Sequence, residues 1–287
     1  MEYPSGVFLG VEPACSDVAT AHYAILPVPY EGTVCYAKGT IDGPAAIIEA
    51  SPQMEWFDEE LGAEFHHAGI ATYPAVPPAD DPAEQMRRVK ASAEPIHAAG
   101  KFLLALGGEH SITAPLVAAA TDVHGPLSVL QIDAHADLRD RFDGTPHSHA
   151  CVMRRVLEMT DRICQVGIRS YSAEEWDACP EQVASFITPA LMETDPEWID
   201  RAIALLGERV YVTIDIDGFD PSIAPGTGTP EPGGLTWRQV TSLLRRVCAE
   251  RAVVSADIVE VRPIPGNHIT EFLAARLAYK IIAYTQQ

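Results

Sequence analysis

The chain has 287 residues, 47% of them hydrophobic, enough for an extensive core, and it carries 40 acidic against 20 basic side chains. The formal charge of −20 and the pI near 4.7 argue against nucleic acid or anionic membranes as partners and favour cationic ligands. Six cysteines without CxxC spacing (Cys15, Cys35, Cys151, Cys164, Cys179, Cys248) imply reduced thiols and a cytoplasmic setting. The opening MEYPSGVFLGVEP lacks the basic-then-apolar order of a leader, and no apolar run approaches membrane-spanning length.

In chain order, the apolar run 22–28 (HYAILPV) predicts a first strand, and the amphipathic stretch 43–60 a helix with Pro44 in its first turn. A helix over 82–99 precedes a strand over 101–106 (KFLLAL), and a helix over 111–123 precedes one over 127–132 (LSVLQI). A helix over 149–160 leads to strand 163–168 (ICQVGI), and a helix over 195–207 to strand 209–214 (RVYVTI). Thr236 and Gln239 have capping-box spacing at the start of a helix over 236–250, which precedes strand 252–257 (AVVSAD) and a last helix over 268–284. Near-continuous apolar strands alternating with helices predict a three-layer α/β/α fold with a mostly parallel central sheet, a single domain over 1–287. The Pro- and Gly-rich stretches 73–82 and 220–234 read as loops within it.

Four of the predicted strands run into residues of metal-ligand type. KFLLAL leads to GGEHS with His110, LSVLQI to Asp133, His135 and Asp137, RVYVTI to Asp215 and Asp217, and AVVSAD to IVEVRP with Glu260. The carboxyl ends of parallel strands share one edge of the sheet, so these side chains converge in one crevice. Several carboxylates brought together need a counter-charge, and Arg139 is the only nearby base within the motifs. Aspartate and histidine ligands exclude a thiolate zinc site. Six candidate ligands, His110, Asp133, His135, Asp137, Asp215 and Asp217, are too many for one tetrahedral ion and suit two divalent ions of the manganese kind. His147 and His149 in TPHSHA are weaker candidates, His149 the better placed; His22, His66, His67, His97, His124 and His268 have no supporting constellation.

GGEHS, DAHAD, the SH of HSHACV, DIDGFDPSIAPGTGTPEPGG and ADIVEVRP occur in the order found in the ureohydrolases, the family of arginase and agmatinase, and the chain resembles that family across 105–263. The GTGTPEPGG segment is more similar to agmatinases than to arginases. The resemblance implies two Mn2+ per subunit: His110, Asp133, Asp137 and Asp215 on one, His135, Asp133, Asp215 and Asp217 on the other, with Asp133 and Asp215 bridging. It implies a proton-transfer role for His149, a guanidinium-holding role for Glu260, and a trimer or hexamer. Glu109, where many relatives have Asp, and Ala150, where agmatinases often have Gly, depart from the pattern. LRDRFDGTPHSHA after DAHAD lacks the Asn- and Ser-rich composition of the arginase carboxylate loop and adds Asp140 and Asp143. Hydrolysis of agmatine to putrescine and urea, a polyamine-forming step, is the expected reaction. Aminopropylagmatine, guanidinobutyrate (for which Arg139 and Arg141 are candidate partners) and arginine are the alternatives. A single-zinc deacetylase-type amidohydrolase and a non-catalytic metal-binding protein are the alternatives in other classes.

Overall fold

The computed structural model describes residues 6–287, so the first residues of the amino-terminal segment, 1–5, lie outside it. The elements run α1 (Pro13–Ser16), β1 (Tyr23–Val28), α2 (Gly43–Ala50), β2 (Phe57–Asp58), β3 (Ala63–Glu64), β4 (Ile70–Thr72), α3 (Pro82–Ala98), β5 (Phe102–Gly107) and α4 (Thr113–His124). Then follow β6 (Ser128–Ile132), α5 (Val152–Val156), β7 (Ile163–Val166), α6 (Ala173–Ala178), α7 (Pro180–Ala184), α8 (Pro189–Thr194), α9 (Trp198–Leu205), β8 (Arg209–Asp215), α10 (Trp237–Glu250), β9 (Ala252–Val259) and α11 (Ile269–Tyr284).

Seven strands form one sheet in the order β4-β1-β5-β9-β8-β6-β7, and every neighbouring pair in it is parallel. β2 and β3 make a separate antiparallel hairpin. The interior strands β1 and β6, each second from an edge, are buried along their whole length, as expected for a sheet covered on both faces. One apolar layer joins α2, α9, α10 and α11 to the sheet through Ile47, Ile203, Leu243 and Leu277. The opposite layer joins α3, α4 and α5 through Val89, Leu116 and Val156. Among the described residues, no helix is long and apolar enough to cross a membrane.

All six predicted strands are present, and helices 82–99, 236–250 and 268–284 are reproduced almost to the residue. The Thr236–Gln239 capping box forms with both reciprocal bonds. The helix expected over 43–60 stops at Ala50, because Pro52 lacks an amide proton and turns the chain into a short 3-10 segment before β2. The helix expected over 149–160 shrinks to Val152–Val156 after a 3-10 turn at His149–Cys151. β2 replaces the end of the helix expected over 43–60, while β3, the short edge strand β4 and the helices α1, α6, α7 and α8 had no prediction: each is too short for its periodicity to stand out.

Lys280 of α11 is 2% exposed, and its ammonium lies 2.8 Å from Asp58 Oδ2 and 3.0 Å from Glu60 Oε2. Tyr284 donates to the same Glu60 at 2.7 Å. This buried charge group pins the β2–β3 hairpin to α11, and removing one partner would leave an uncompensated buried charge.

Candidate metal centre and substrate cavity

The sheet order explains how residues spread over 150 positions meet. β5, β9, β8 and β6 are consecutive neighbours, and they are the four strands whose carboxyl ends lead to His110, Glu260, Asp215 with Asp217, and Asp133 with His135 and Asp137. A cavity of about 270 Å³ opens above them, lined by His110, His135, Asp137, His149, Asp215, Asp217 and Glu260 among others. Asp133 is fully buried at its floor.

His110 Nδ1 lies 3.1 Å from Asp133 Oδ2, 3.1 Å from Asp137 Oδ2 and 3.5 Å from Asp215 Oδ2. His135 Nδ1 lies 3.0 Å from Asp217 Oδ2 and 3.6 Å from Asp133 Oδ1. Two ligand groups result, His110–Asp133–Asp215 and Asp133–His135–Asp217, with Asp133 common to both. Asp137 joins the first through His110. The ring orientations are built in. His110 Nε2 faces Thr213 Oγ1 at 2.9 Å, and that hydroxyl donates to Asp257 at 2.7 Å. Tyr211 and Thr113 donate to the other oxygen of Asp257. This acceptor chain holds the Nε2 proton of His110 and directs the Nδ1 lone pair at the carboxylates. His110 Nδ1 is accordingly a buried nitrogen without a hydrogen-bond partner, the condition of a metal-ligating imidazole.

Electrostatics agree. Burial and Asp133 push the Asp137 carboxyl up to about 7. Burial and Asp217 raise Asp215 well above its ordinary range, and burial and Glu109 do the same to Glu260. Although burial alone would lower it, contacts with Asp133, Asp137 and Asp215 raise His110. The protein alone therefore lacks compensating positive charge for its carboxylates, and buried oxygens at this density fit one or two cations. The donor set, carboxylates with two imidazoles and no thiolate, suits divalent ions of the manganese type.

Backbone strain marks two of these residues. Asp137 has φ +54° and Glu260 φ +62°, the left-handed region that side-chain-bearing residues avoid. Asp137 is held there because its carbonyl accepts the first amides of α5, Met153 at 3.0 Å and Arg154 at 3.1 Å. Glu260 is held by its own amide, which donates to Gly108 O at 2.7 Å, and by its Oε1, which accepts the His110 amide at 2.7 Å. Its Oε2 has no hydrogen-bond partner among the described residues, and Glu260 lines the cavity. The second glycine of GGEHS has a steric reason: a Cβ on Gly108 would lie 2.0 Å from Tyr30 O.

His149 also reaches the cavity, whereas His147 faces a separate surface groove with α3 and α5. Burial, with His110 and His135 nearby, lowers His149 to about 4, so its imidazole is neutral at pH 7. Its tautomer follows from a relay. Glu109 accepts the amides of Gly32 at 2.6 Å and Thr33 at 2.7 Å on one oxygen, and the hydroxyls of Thr33 at 2.9 Å and Ser111 at 2.6 Å on the other. Four donors saturate an ionised carboxylate, even though burial raises its pKa. Thr33 has spent its only proton on Glu109, so its oxygen accepts from His149 Nδ1 at 3.1 Å and from the His149 amide at 3.1 Å. Nε2 is left unprotonated, facing Cys35 Sγ at 3.9 Å on the cavity side.

Sequence reasoning missed Thr33, Asp257, Thr213, Gln131 and Arg169. Gln131 donates to Asp133 Oδ2 at 2.7 Å and is itself held by Gln165. Arg169 donates to the carbonyls of Asp217 at 2.8 Å and Glu231 at 2.7 Å, tying the DID turn to the GTGTPEPGG loop. Asp257 stands within ADIVEVRP but was not read as functional, and the other four lie outside the quoted ligand positions; their positions in space give them a role. Of the two acids that the loop after DAHAD adds, Asp140 is paired with Arg155 at 2.5 Å, and neither it nor Asp143 lines the cavity.

A parallel α/β sheet with carboxylates and imidazoles massed at its carboxyl edge defines the class of metal-dependent α/β hydrolases. The profile of the arginase family matches residues 21–283. The chain is 42% identical to the N(1)-aminopropylagmatine ureohydrolase of Synechocystis sp., covering 94% of this chain and 91% of that one. It is 33% identical to the agmatinase of Pyrococcus horikoshii, covering 93% of each. The crystal structure of agmatine ureohydrolase of Thermoplasma volcanium superposes with a TM-score of 0.86 at 33% identity, over 95% of this chain and 92% of that one. The chain belongs to the arginase family of ureohydrolases.

Proposed function

We propose that the chain hydrolyses a cationic guanidine without a carboxylate to urea and a primary amine, N(1)-aminopropylagmatine ahead of agmatine. The observation that carries this reading is the convergence of His110, His135, Asp137, Asp215 and Asp217 with Glu260 in one cavity above buried Asp133. His110, Asp133, Asp137 and Asp215 would hold one ion and Asp133, His135, Asp215 and Asp217 the other. When bound, two divalent ions of the manganese type neutralise the carboxylates and activate water for attack on the guanidinium carbon.

The chain's own groups do the rest. Glu260 Oε2 accepts N–H bonds from the planar guanidinium, and the left-handed backbone at Glu260 fixes where the carbon sits. Asp137, buried beside His110 at 3.1 Å and lining the cavity, takes the nucleophile's proton and passes it to the departing amine. His149, neutral with Nε2 open, exchanges protons between cavity and solvent.

Substrate choice rests on the rim. Arg139 lies 3.6 Å from Glu174 and over the Phe142 ring at 5.4 Å, and Arg141 donates to Gly144 O at 2.5 Å. Both guanidiniums are engaged within the protein, which disfavours an acidic tail such as that of guanidinobutyrate or arginine. Tyr36, Phe142 and Tyr171 offer aromatic faces to a cationic one. Aminopropylagmatine is placed first because the more similar relative carries that name; agmatine is the second reading, supported by the agmatinase relative. A cytoplasmic trimer or hexamer, as the family resemblance implies, belongs to the same reading.

The test is urea release by manganese-loaded protein with aminopropylagmatine, agmatine, guanidinobutyrate and arginine in parallel. A kcat/KM highest for aminopropylagmatine is expected; activity on arginine alone would refute the substrate assignment. Asp133→Ala should lose metal and activity together, and one metal per wild-type chain would favour an amidohydrolase of the single-zinc kind.

A further inference from the structure

A second cluster of ligand-type side chains lies far from the cleft. Glu64 ends β3, and His66 and His67 follow in a single 3-10 turn, His66–Ala68, that leads into β4. The turn sits before the amino end of β4, whereas the cleft lies beyond the carboxyl ends of the strands, so the two sites occupy opposite edges of the sheet.

Glu64 Oε2 lies 3.8 Å from His66 Nδ1 and 3.7 Å from His67 Nε2. Both distances are too long for hydrogen bonds. Donors bound to one tetrahedral ion at about 2.0–2.1 Å stand about 3.3–3.4 Å apart, so the two Glu64 edges need a contraction of a few tenths of an ångström, and all three donor atoms already lie within 4.8 Å of one another. His67, 71% exposed, is free to supply it by turning its ring. His66 is the anchor. It is 2% exposed, its ring packs 4.2 Å from that of Trp56, and its Nδ1 is buried without a hydrogen-bond partner. An orphaned buried imidazole nitrogen facing a carboxylate and a second imidazole is a position that a cation satisfies.

We propose that Glu64, His66 and His67 form a third metal site, separate from the cleft, for a borderline transition ion of the zinc or nickel class. Two imidazoles and one carboxylate select such an ion over magnesium or calcium, which demand more oxygen ligands. Three protein donors leave a position open for water. Bound there, the ion clips the β3–β4 turn against Trp56 at the edge of the molecule.

The experiment uses manganese-loaded full-length protein dialysed against Ni2+, with total manganese and nickel counted per chain and tryptophan fluorescence followed. Expected is one metal ion per chain more than before dialysis, manganese and nickel summed because nickel can exchange into the cleft, with quenching from Trp56. His67→Ala and Glu64→Gln, both at exposed side chains, should lose that ion and the quenching while urea release stays at the wild-type level. No additional ion in the wild type, or equal retention by both variants, would overturn the proposal.

Discussion

Thr33→Val isolates the relay that sets the state of His149. Valine keeps the shape of threonine but removes the oxygen that accepts His149 Nδ1 at 3.1 Å and the His149 amide at 3.1 Å. Glu109 keeps three of its four donors, from Gly32, the amide of residue 33 and Ser111, so the loop around residues 30–33 stays anchored. Leaving the part-buried His149 amide unpaired costs about 1–3 kcal/mol of stability. The larger effect is on the rate. With only the longer contact to Ser148 Oγ at 3.4 Å left at Nδ1, the imidazole is freer to protonate Nε2, the atom that faces the cavity, or to rotate. Positioned acid–base groups contribute roughly 10²–10⁴ in rate, and the wall formed by Phe142, 5.8 Å from the His149 ring centroid, still limits rotation. A loss in kcat of about 10–100-fold at nearly constant KM is therefore expected. Thr33→Ser should restore most of it. The assay pairs urea release with 15N NMR of the His149 ring in protein loaded with a diamagnetic divalent ion, where wild type shows a protonated Nδ1 and Thr33→Val a protonated Nε2 or a mixture. Wild-type kcat and an unchanged ring spectrum in Thr33→Val would refute the relay. If instead His149→Ala itself retained full activity, the proton-transfer role of His149 would fail while the relay geometry stood.

Metal-free protein should lose stability as pH rises. The folded cleft holds protons that the unfolded chain releases, since Asp137 moves from an ordinary value of 3.8 to about 7 and Asp215, Glu260 and His110 are raised as well. Asp133, lowered by its two imidazoles against the effect of burial, opposes this in the acid range, and His149 and His97, lowered to about 4 chiefly by burial, offset part of it between about pH 4 and 6.5. Fewer protons in the unfolded state means that unfolding free energy falls with pH from about 4 upward. The melting temperature of chelator-treated protein should drop between pH 5 and 8 and that of manganese-loaded protein should not; a flat metal-free profile would contradict the charge balance of the cleft. Glu260→Gln keeps an acceptor for the His110 amide but loses the charge opposite the guanidinium, so kcat/KM should fall by about 10²-fold with both manganese ions retained. Gly108→Ala places a methyl 2.0 Å from Tyr30 O, a backbone atom that cannot yield, and should destabilise by about 3 kcal/mol or more in thermal unfolding. Arg169→Ala should leave metal content unchanged yet raise the protease sensitivity of the 226–234 loop, because two carbonyl tethers to Asp217 and Glu231 are lost.

The ligand-type residues were legible because each metal-facing set follows its own strand within a few positions. DAHAD and DID need only the period of a strand and a turn to show which residues share a side, and the apolar runs before them fix the strands. The core-facing helices α3, α10 and α11 were legible for the same reason, their periodicity running over three turns or more. Short segments were not: β4 has three residues and α7 five, too few for a pattern, and Pro52 ended a helix whose periodicity continued past it. The convergence of this ligand-type set was thus readable before its geometry was known.

What only the tertiary structure decided is adjacency. The order β5-β9-β8-β6 places His110 beside Glu260 across 150 residues of sequence, and the path from β1 to α2 brings Thr33 to His149 across 116. Asp257 supports His110 through Thr213 from a neighbouring strand, and the orphaned Nδ1 of His66 emerges only once Trp56 packs over the ring. Local pattern is set by side-chain period along a few residues. The partners that orient a ring, fix a tautomer or leave a nitrogen unsatisfied are set by which strands pair and how closely backbones approach, and those depend on the packing of the whole chain.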